Sequence, residues 1–243
     1  YVFQPETAAS GAISLEKETW FSEMGEGCFL AYLVTGRVTS GDYDGDGKDE
    51  IAVMYDYGDA TMRILVFEHD NQKDTEKFSY YTRYMAAESG SYDAGNATER
   101  MVSGDYDGDG RDEIAVLYDK GSGAAAMQVF DGSGKNSDWY FDYRNWYEAE
   151  ENTFLASHVS GTMVSGDFNG DGKEDIACLY DYTDFSRMLV FVSNGTDWKD
   201  GWQIWDGGTR NYHYDNARGR MSAGDWNGDG KEEILSLYAE SES

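Results

Sequence analysis

One acidic loop, written four times, constrains this chain more than any other feature. Its copies are Gly41-Asp-Tyr-Asp-Gly-Asp-Gly-Lys-Asp-Glu-Ile51, Gly104-Asp-Tyr-Asp-Gly-Asp-Gly-Arg-Asp-Glu-Ile114, Gly166-Asp-Phe-Asn-Gly-Asp-Gly-Lys-Glu-Asp-Ile176 and Gly224-Asp-Trp-Asn-Gly-Asp-Gly-Lys-Glu-Glu-Ile234. The leading aspartates, Asp42, Asp105, Asp167 and Asp225, stand 63, 62 and 58 residues apart. The likeness extends beyond the loops. Thirteen residues after each leading Asp comes a tyrosine (Tyr55, Tyr118, Tyr180, Tyr238), and thirteen before it an aromatic (Phe29, Tyr92, Phe154, Tyr212). Five before it stand Arg37, Arg100, Thr162 and Arg220. A period near 60 that carries loop and flanks together marks a whole supersecondary unit, repeated across residues 1–243 as one domain.

Each unit reads as β. A short apolar stretch follows the loop, as in Ile51-Ala-Val-Met-Tyr55. A Gly/Asp-rich turn then leads to a second stretch, such as Met62-Arg-Ile-Leu-Val-Phe67, and an aromatic segment comes next. A fourth short stretch, such as Met101-Val-Ser103, returns to the loop. Four short strands punctuated by turn residues, with no sustained helical periodicity, predict an all-β fold. Tandem four-stranded units of about 60 residues predict a β-propeller of four blades. The last repeat lacks the Val-Phe strand, while the chain opens with Tyr1-Val2-Phe3. Phe3 lies 39 residues before Asp42, close to the 38, 37 and 34 residues that separate Phe67, Phe130 and Phe191 from their next leading Asp. The N-terminal strand is therefore expected to complete the last blade and close the ring, removing exposed sheet edges. A monomer is favoured, and the competing reading is half of a larger ring completed by a second chain.

The loops carry oxygen ligands at positions 1, 3, 5 and 9, with a backbone carbonyl available at position 7. The four sets are Asp42, Asp44, Asp46, Lys48 and Glu50; Asp105, Asp107, Asp109, Arg111 and Glu113; Asp167, Asn169, Asp171, Lys173 and Asp175; and Asp225, Asn227, Asp229, Lys231 and Glu233. Hard oxygen donors without His or Cys point to Ca²⁺ over Zn²⁺, and the crowding disfavours Mg²⁺. Carboxylates this close repel one another unless a cation lies among them, so four structural calcium sites are expected. An EF-hand is excluded, because position 12 holds Val53, Val116, Cys178 and Ser236 where that loop needs a bidentate Glu and a following helix.

These loops resemble the FG-GAP/VCBS repeats of integrin α-subunit propellers and bacterial surface proteins. The pattern Ser-Gly-Asp-Tyr/Phe-Asp/Asn-Gly-Asp-Gly-Lys-Asp-Glu-Ile-Ala carries the resemblance through essentially the whole chain. It implies a β-propeller with calcium in a hairpin loop of each blade and an extracellular or cell-surface setting. Integrin-like propellers have seven blades and a Phe-Gly…Gly-Ala-Pro element. This chain supplies four repeats, and its single proline is Pro5, so the integrin ligand surface is not carried over.

With 47 acidic against 19 basic residues the formal charge is -28. That field disfavours nucleic acid and anionic lipid as partners, and no apolar run is long enough to span a bilayer. The first residues lack the basic and apolar regions of a signal peptide. Cys28 and Cys178 fit two buried thiols, with a single bridge as the alternative. His69, His158 and His213 occupy unrelated repeat positions, and no nucleophile elbow or phosphate loop is present, so a non-catalytic module is expected. Binding is the favoured class, for a glycan or a cell-surface protein in an adhesive role. The alternative is an accessory domain of a carbohydrate-active enzyme, or such an enzyme itself. Phe29, Tyr92, Phe154 and Tyr212, with Arg37, Arg100 and Arg220 near them, are the candidate sugar contacts, since flat apolar faces beside polar groups suit sugars. The bland alternative is that these aromatics fill the wedges between blades.

Overall fold

A computed structural model describes residues 1–7, 13–22, 29–70, 72, 74, 77–86, 90–133, 139–207 and 212–239. It is all-β, with single short 3-10 turns between sheets. Three sheets have four antiparallel strands each. The first comprises β3 (Val38–Gly41), β4 (Glu50–Asp56), β5 (Met62–His69) and β6 (Phe78–Ala86). The second comprises β7 (Met101–Gly104), β8 (Glu113–Gly121), β9 (Ala124–Ser133) and β10 (Tyr140–Ala149). The third comprises β11 (Val164–Gly166), β12 (Asp175–Asp181), β13 (Ser186–Ser193) and β14 (Trp198–Asp206). The fourth repeat forms a two-stranded sheet, β15 (Met221–Gly224) with β16 (Glu233–Ser236).

The strands meander in sequence order, and the acidic loop joins the first strand of each sheet to the second. In the three four-stranded sheets the second and third strands are largely buried on both faces, as in Ile114-Ala-Val-Leu of β8. Such strands read as continuous apolar runs because both sheet faces are covered. The side-chain period of two divides each strand between two interfaces. Ala52 and Met54 of β4 pack with Ile114, Val116 and Phe130 of the second sheet. Val53 and Tyr55 face the opposite way, with Phe21 and Phe29. Likewise Ala115 and Leu117 meet Ile176, Cys178 and Phe191 of the third sheet. Phe168 and Val190 meet Ala223 and Ile234 of the fourth. Consecutive sheets thus pack face to face, in the manner of propeller blades. Their first strands neighbour one another in the order β3, β7, β11, β15. A cavity of about 330 Å³ is lined by Gly36 and Val38 of the first repeat, Glu99 and Met101 of the second, Met163 of the third and Arg218 of the fourth.

The N-terminal segment differs from expectation. β1 (Val2–Thr7) pairs with β2 (Ile13–Glu18), from Val2↔Glu18 to Thr7↔Ile13. The N-terminal strand is expected from the sequence to complete the last blade, but among the described residues β1 and β2 form their own sheet and are not hydrogen-bonded to β16. Phe3, Ile13 and Leu15 stay exposed. Joining β1 to β16 would bring together opposite ends of the chain, the least local pairing it could make, and so the one with the largest closure entropy to overcome. Cys178 is a buried free thiol, and Cys28 lies outside the described residues.

Candidate metal centres

The loops curl because two glycines in each take left-handed backbone angles. In the first, Gly45 and Gly47 have φ of +75° and +84°, and in the second Gly108 and Gly110 have +80° and +90°. A side chain resists that conformation. The resulting turn aims backbone N–H groups at the acidic side chains. Asp42 Oδ1 accepts from the N–H of Gly45 (2.9 Å) and Asp46 (3.0 Å), and its Oδ2 from Gly47 (2.8 Å). Asp44 accepts from Asp46, and Asp46 from Lys48. The pattern recurs at Asp105, Asp107 and Asp109, at Asp167 and Asp171, and at Asp225, Asn227 and Asp229. Each leading Asp therefore serves as the loop's internal scaffold.

The ninth position closes the cup from the start of the second strand. Glu50, Glu113 and Glu233 each accept from the N–H at position 2, at 3.1 Å from Tyr43, 2.8 Å from Tyr106 and 3.0 Å from Trp226. In the third loop the shorter Asp175 turns instead to the N–H of Ser193 on β13 (2.9 Å), while Asn169 donates to its other oxygen.

Convergence is tightest in the second loop, where one oxygen from each of Asp105, Asp107, Asp109 and Glu113 lies within 4.8 Å of the others. In the first loop Asp42, Asp44 and Glu50 meet the same limit. Asp46 is outside that group and forms an ion pair with Lys48. The acidic residues of the third and fourth loops are not gathered to that distance. Asn169 and Asn227 replace a carboxylate there, and Lys173 Nζ holds Asp171 at 3.2 Å.

Burial, then repulsion from Asp107, pushes the Glu113 carboxyl up to about 9. Burial and then Asp44 push Glu50 up to about 8. Asp175 rises to about 6, from burial first and then Asp171. The cups therefore penalise their own negative charge. An all-oxygen donor set in that state fits a hard dication, which would favour the ionised forms.

Two contributors escape a reading of the loops alone. Asp131 on β9 adds its repulsion to Asp107 and Glu113. It stands one residue past the recurrent Val-Phe, where the other repeats have Glu68 and Val192. The acidic residue at position 8 also reaches a different repeat. Asp112 accepts from the N–H of Asp42 at 2.9 Å, and Glu174 packs over Gly104 while also accepting from Ser165 of its own repeat at 2.7 Å.

The candidate sugar contacts do not present free faces. Tyr92 and Phe154 are buried in the cores between sheets. The Tyr92 hydroxyl donates to Gln128 at 2.7 Å. Phe29 is partly buried against Tyr55 and Phe67. Tyr212 stacks on Tyr238 with centroids 4.3 Å apart. Arg37 and Arg100 are buried, and each guanidinium braces its own blade and the next. Arg100 donates to Leu117 O (3.0 Å), Asn96 O (2.6 Å) and Ser160 Oγ (2.6 Å). Arg37 does the same with Met54 O, Leu33 O and Thr98 Oγ1. Arg220 is exposed and donates to Asn216 O at 2.8 Å. Recurrence at every repeat here reflects packing. One exposed aromatic pair lies at a hairpin tip: Tyr182 stacks on Phe185 at 5.1 Å and 7°, with Arg187 over both rings.

No helix among the described residues is long and apolar enough to cross a membrane. A family model described as FG-GAP-like repeat matches residues 42–116, 105–178 and 167–236, each span running from one acidic loop through the next. No curated protein matches the chain.

Proposed function

Because the chain belongs to the FG-GAP-like repeat family, we propose that it is a calcium-stabilised, non-catalytic binding module of the cell exterior, built as a four-bladed ring. The observation that carries the reading is the pair of oxygen cups at Asp105/Asp107/Asp109/Glu113 and Asp42/Asp44/Glu50, in each of which one carboxylate oxygen per residue lies within 4.8 Å of the others. Calcium would be held by the acidic side chains of the four loops. It would cancel their repulsion and fix loops that also contact the neighbouring blade. Four ions would bring the formal charge from -28 to about -20, still unfavourable to anionic partners.

Repeat families of this kind present binding surfaces, and the partner class proposed is a glycan or a cell-surface protein. Burial of Tyr92 and Phe154 removes support from one sugar site per blade at those positions. The Tyr182–Phe185–Arg187 tip supports the glycan version better, since it offers a flat ring face beside charged groups.

Thermal melting with and without chelator tests the reading. For a dissociation constant near 10 μM and about 1 mM free calcium, each site adds roughly 2.7 kcal/mol. Four sites add on the order of 10 kcal/mol, and a chain of this size gains about 2–4 °C per kcal/mol. Chelation should lower Tm by more than about 10 °C. A shift below about 3 °C would overturn the structural role of calcium.

A further inference from the structure

The cavity of about 330 Å³ touches all four repeats, and one residue beside it breaks the repeat. Six residues before each leading Asp stand Gly36, Glu99, Gly161 and Gly219. Their backbones are left-handed, with φ of +69°, +61°, +73° and +68°. A hydrogen-bond ladder fixes that conformation. Glu99 N–H donates to Gly36 O (2.7 Å), Gly161 N–H to Glu99 O (2.8 Å) and Gly219 N–H to Gly161 O (2.7 Å). Three repeats meet the demand with glycine, which has no Cβ to clash. The second holds a glutamate there, against the steric preference of an L-residue. Such strain persists where the side chain serves something other than folding.

The partner of Glu99 is a second departure. In the first two repeats a buried arginine donates to a hydroxyl of the next repeat, Arg37 to Thr98 and Arg100 to Ser160. The third repeat has Thr162 in place of the arginine, and the fourth has Arg218 in place of the hydroxyl. Arg218 instead donates to Glu99, 119 residues away, and the two form an exposed ion pair. Each stem lies along a glycine of the preceding repeat. A Cβ built on Gly36 comes 3.1 Å from Glu99 Cγ, and one built on Gly161 comes 3.0 Å from Arg218 Cγ. Val38, Met101 and Met163 line the same cavity.

An exposed ion pair adds little stability, and does not offset the cost of a left-handed side chain. What the arrangement offers is recognition. A carboxylate accepts from neighbouring hydroxyls and a planar guanidinium donates to them. An apolar wall beside such a pair suits the C–H face of a sugar ring, and the volume falls within the roughly 300–1,000 Å³ of small-ligand sites. The formal charge of -28 disfavours acidic sugars.

We propose that this cavity seats one neutral sugar unit, with Glu99 and Arg218 binding adjacent hydroxyls beside Met101 and Met163. The inference rests on the glycan version of the reading above, and gives it a site apart from the Tyr182 tip.

Labelled protein applied to an array of neutral and acidic glycans tests the proposal, followed by titration with the methyl glycoside of the best-bound neutral sugar. Glu99→Gly and Arg218→Ser are the informative variants, because each installs the residue that the third repeat carries at the same position. The expected result is a bound neutral glycan, with a dissociation constant raised at least about tenfold in both variants. The Tm of Glu99→Gly should be unchanged or higher. A marked Tm loss would make Glu99 a structural brace and overturn the proposal. Unaltered binding in either variant overturns it too. If Tyr182→Ala abolishes binding and the two cavity variants do not, the glycan reading stands and the cavity site fails. An array without neutral-glycan signal removes both.

Discussion

At the scale of single residues, the buried arginines show how a polar group becomes part of a core. Arg100 is buried, its guanidinium satisfied by two carbonyls and a serine hydroxyl. Burial pulls it below the ordinary arginine range, partly offset by Asp119 and others. Arg100→Met leaves those acceptors buried and unmatched, so it should cost about 3 kcal/mol, read as a lower urea midpoint. Lys120→Met breaks only an exposed pair with Glu148 at 3.2 Å and should move the midpoint by less than about 0.5 kcal/mol. Residues of this kind were the hardest to read from sequence. An aromatic beside an arginine has one composition whether it cradles a sugar or braces a wedge, so Tyr92 and Arg100 gave no local sign of which they do. What separates the readings is Gln128 and Ser160, partners that lie far along the chain.

At the scale of the element, the loops were legible because their information is local. Glycine placement, carboxylate spacing and the apolar run after them lie within about ten residues, and the turn and strand follow from short-range sterics. Position 8 was legible only as charge, since Asp112 meets Asp42 and Glu174 covers Gly104, each in the preceding repeat. The electrostatics of the cups yield a pH prediction. Glu50, Glu113 and Asp175 titrate above the ordinary carboxylate range when folded, mainly through burial. A group with a raised folded value contributes stability that is fully present below its unfolded value, near 4.3 for Glu, and is lost as pH rises through the folded one. In chelator, Tm should therefore fall between pH 5 and pH 9. Saturating calcium should flatten or reverse that slope, because it favours the ionised carboxylates. A Tm in chelator that rises over the same interval contradicts the argument.

For the whole molecule, stability is distributed as in a one-dimensional array, where each unit leans on its neighbours. The second and third sheets are covered on both sides by apolar partners. The fourth has two strands of mixed exposure. Hydrogen exchange should release the amides of Ile234–Ser236 well before those of Ile114–Leu117 and Ile176–Leu179. Equal protection across the four repeats would show that the fourth is held as firmly as the rest. The repeated four-stranded sheets could be foreseen from the period, but not that the first segment pairs locally with itself, β1 with β2, in place of joining β16 among the described residues. The face-to-face joints bear on how such a chain can lengthen. The second repeat holds both parts of such a joint, with Tyr106 hydrogen-bonded to Ser165 of the third repeat and Ser103 to Tyr43 of the first. A gene duplication that copies one repeat therefore copies both mating parts, and the newcomer fits its parent at once. Later drift must then respect the joint rather than the sheet. The third repeat has Phe168 in place of the tyrosine and the fourth has Ala223 in place of the serine, both packed against one cluster, and the joint absence of the two hydroxyls has the form of such a paired change.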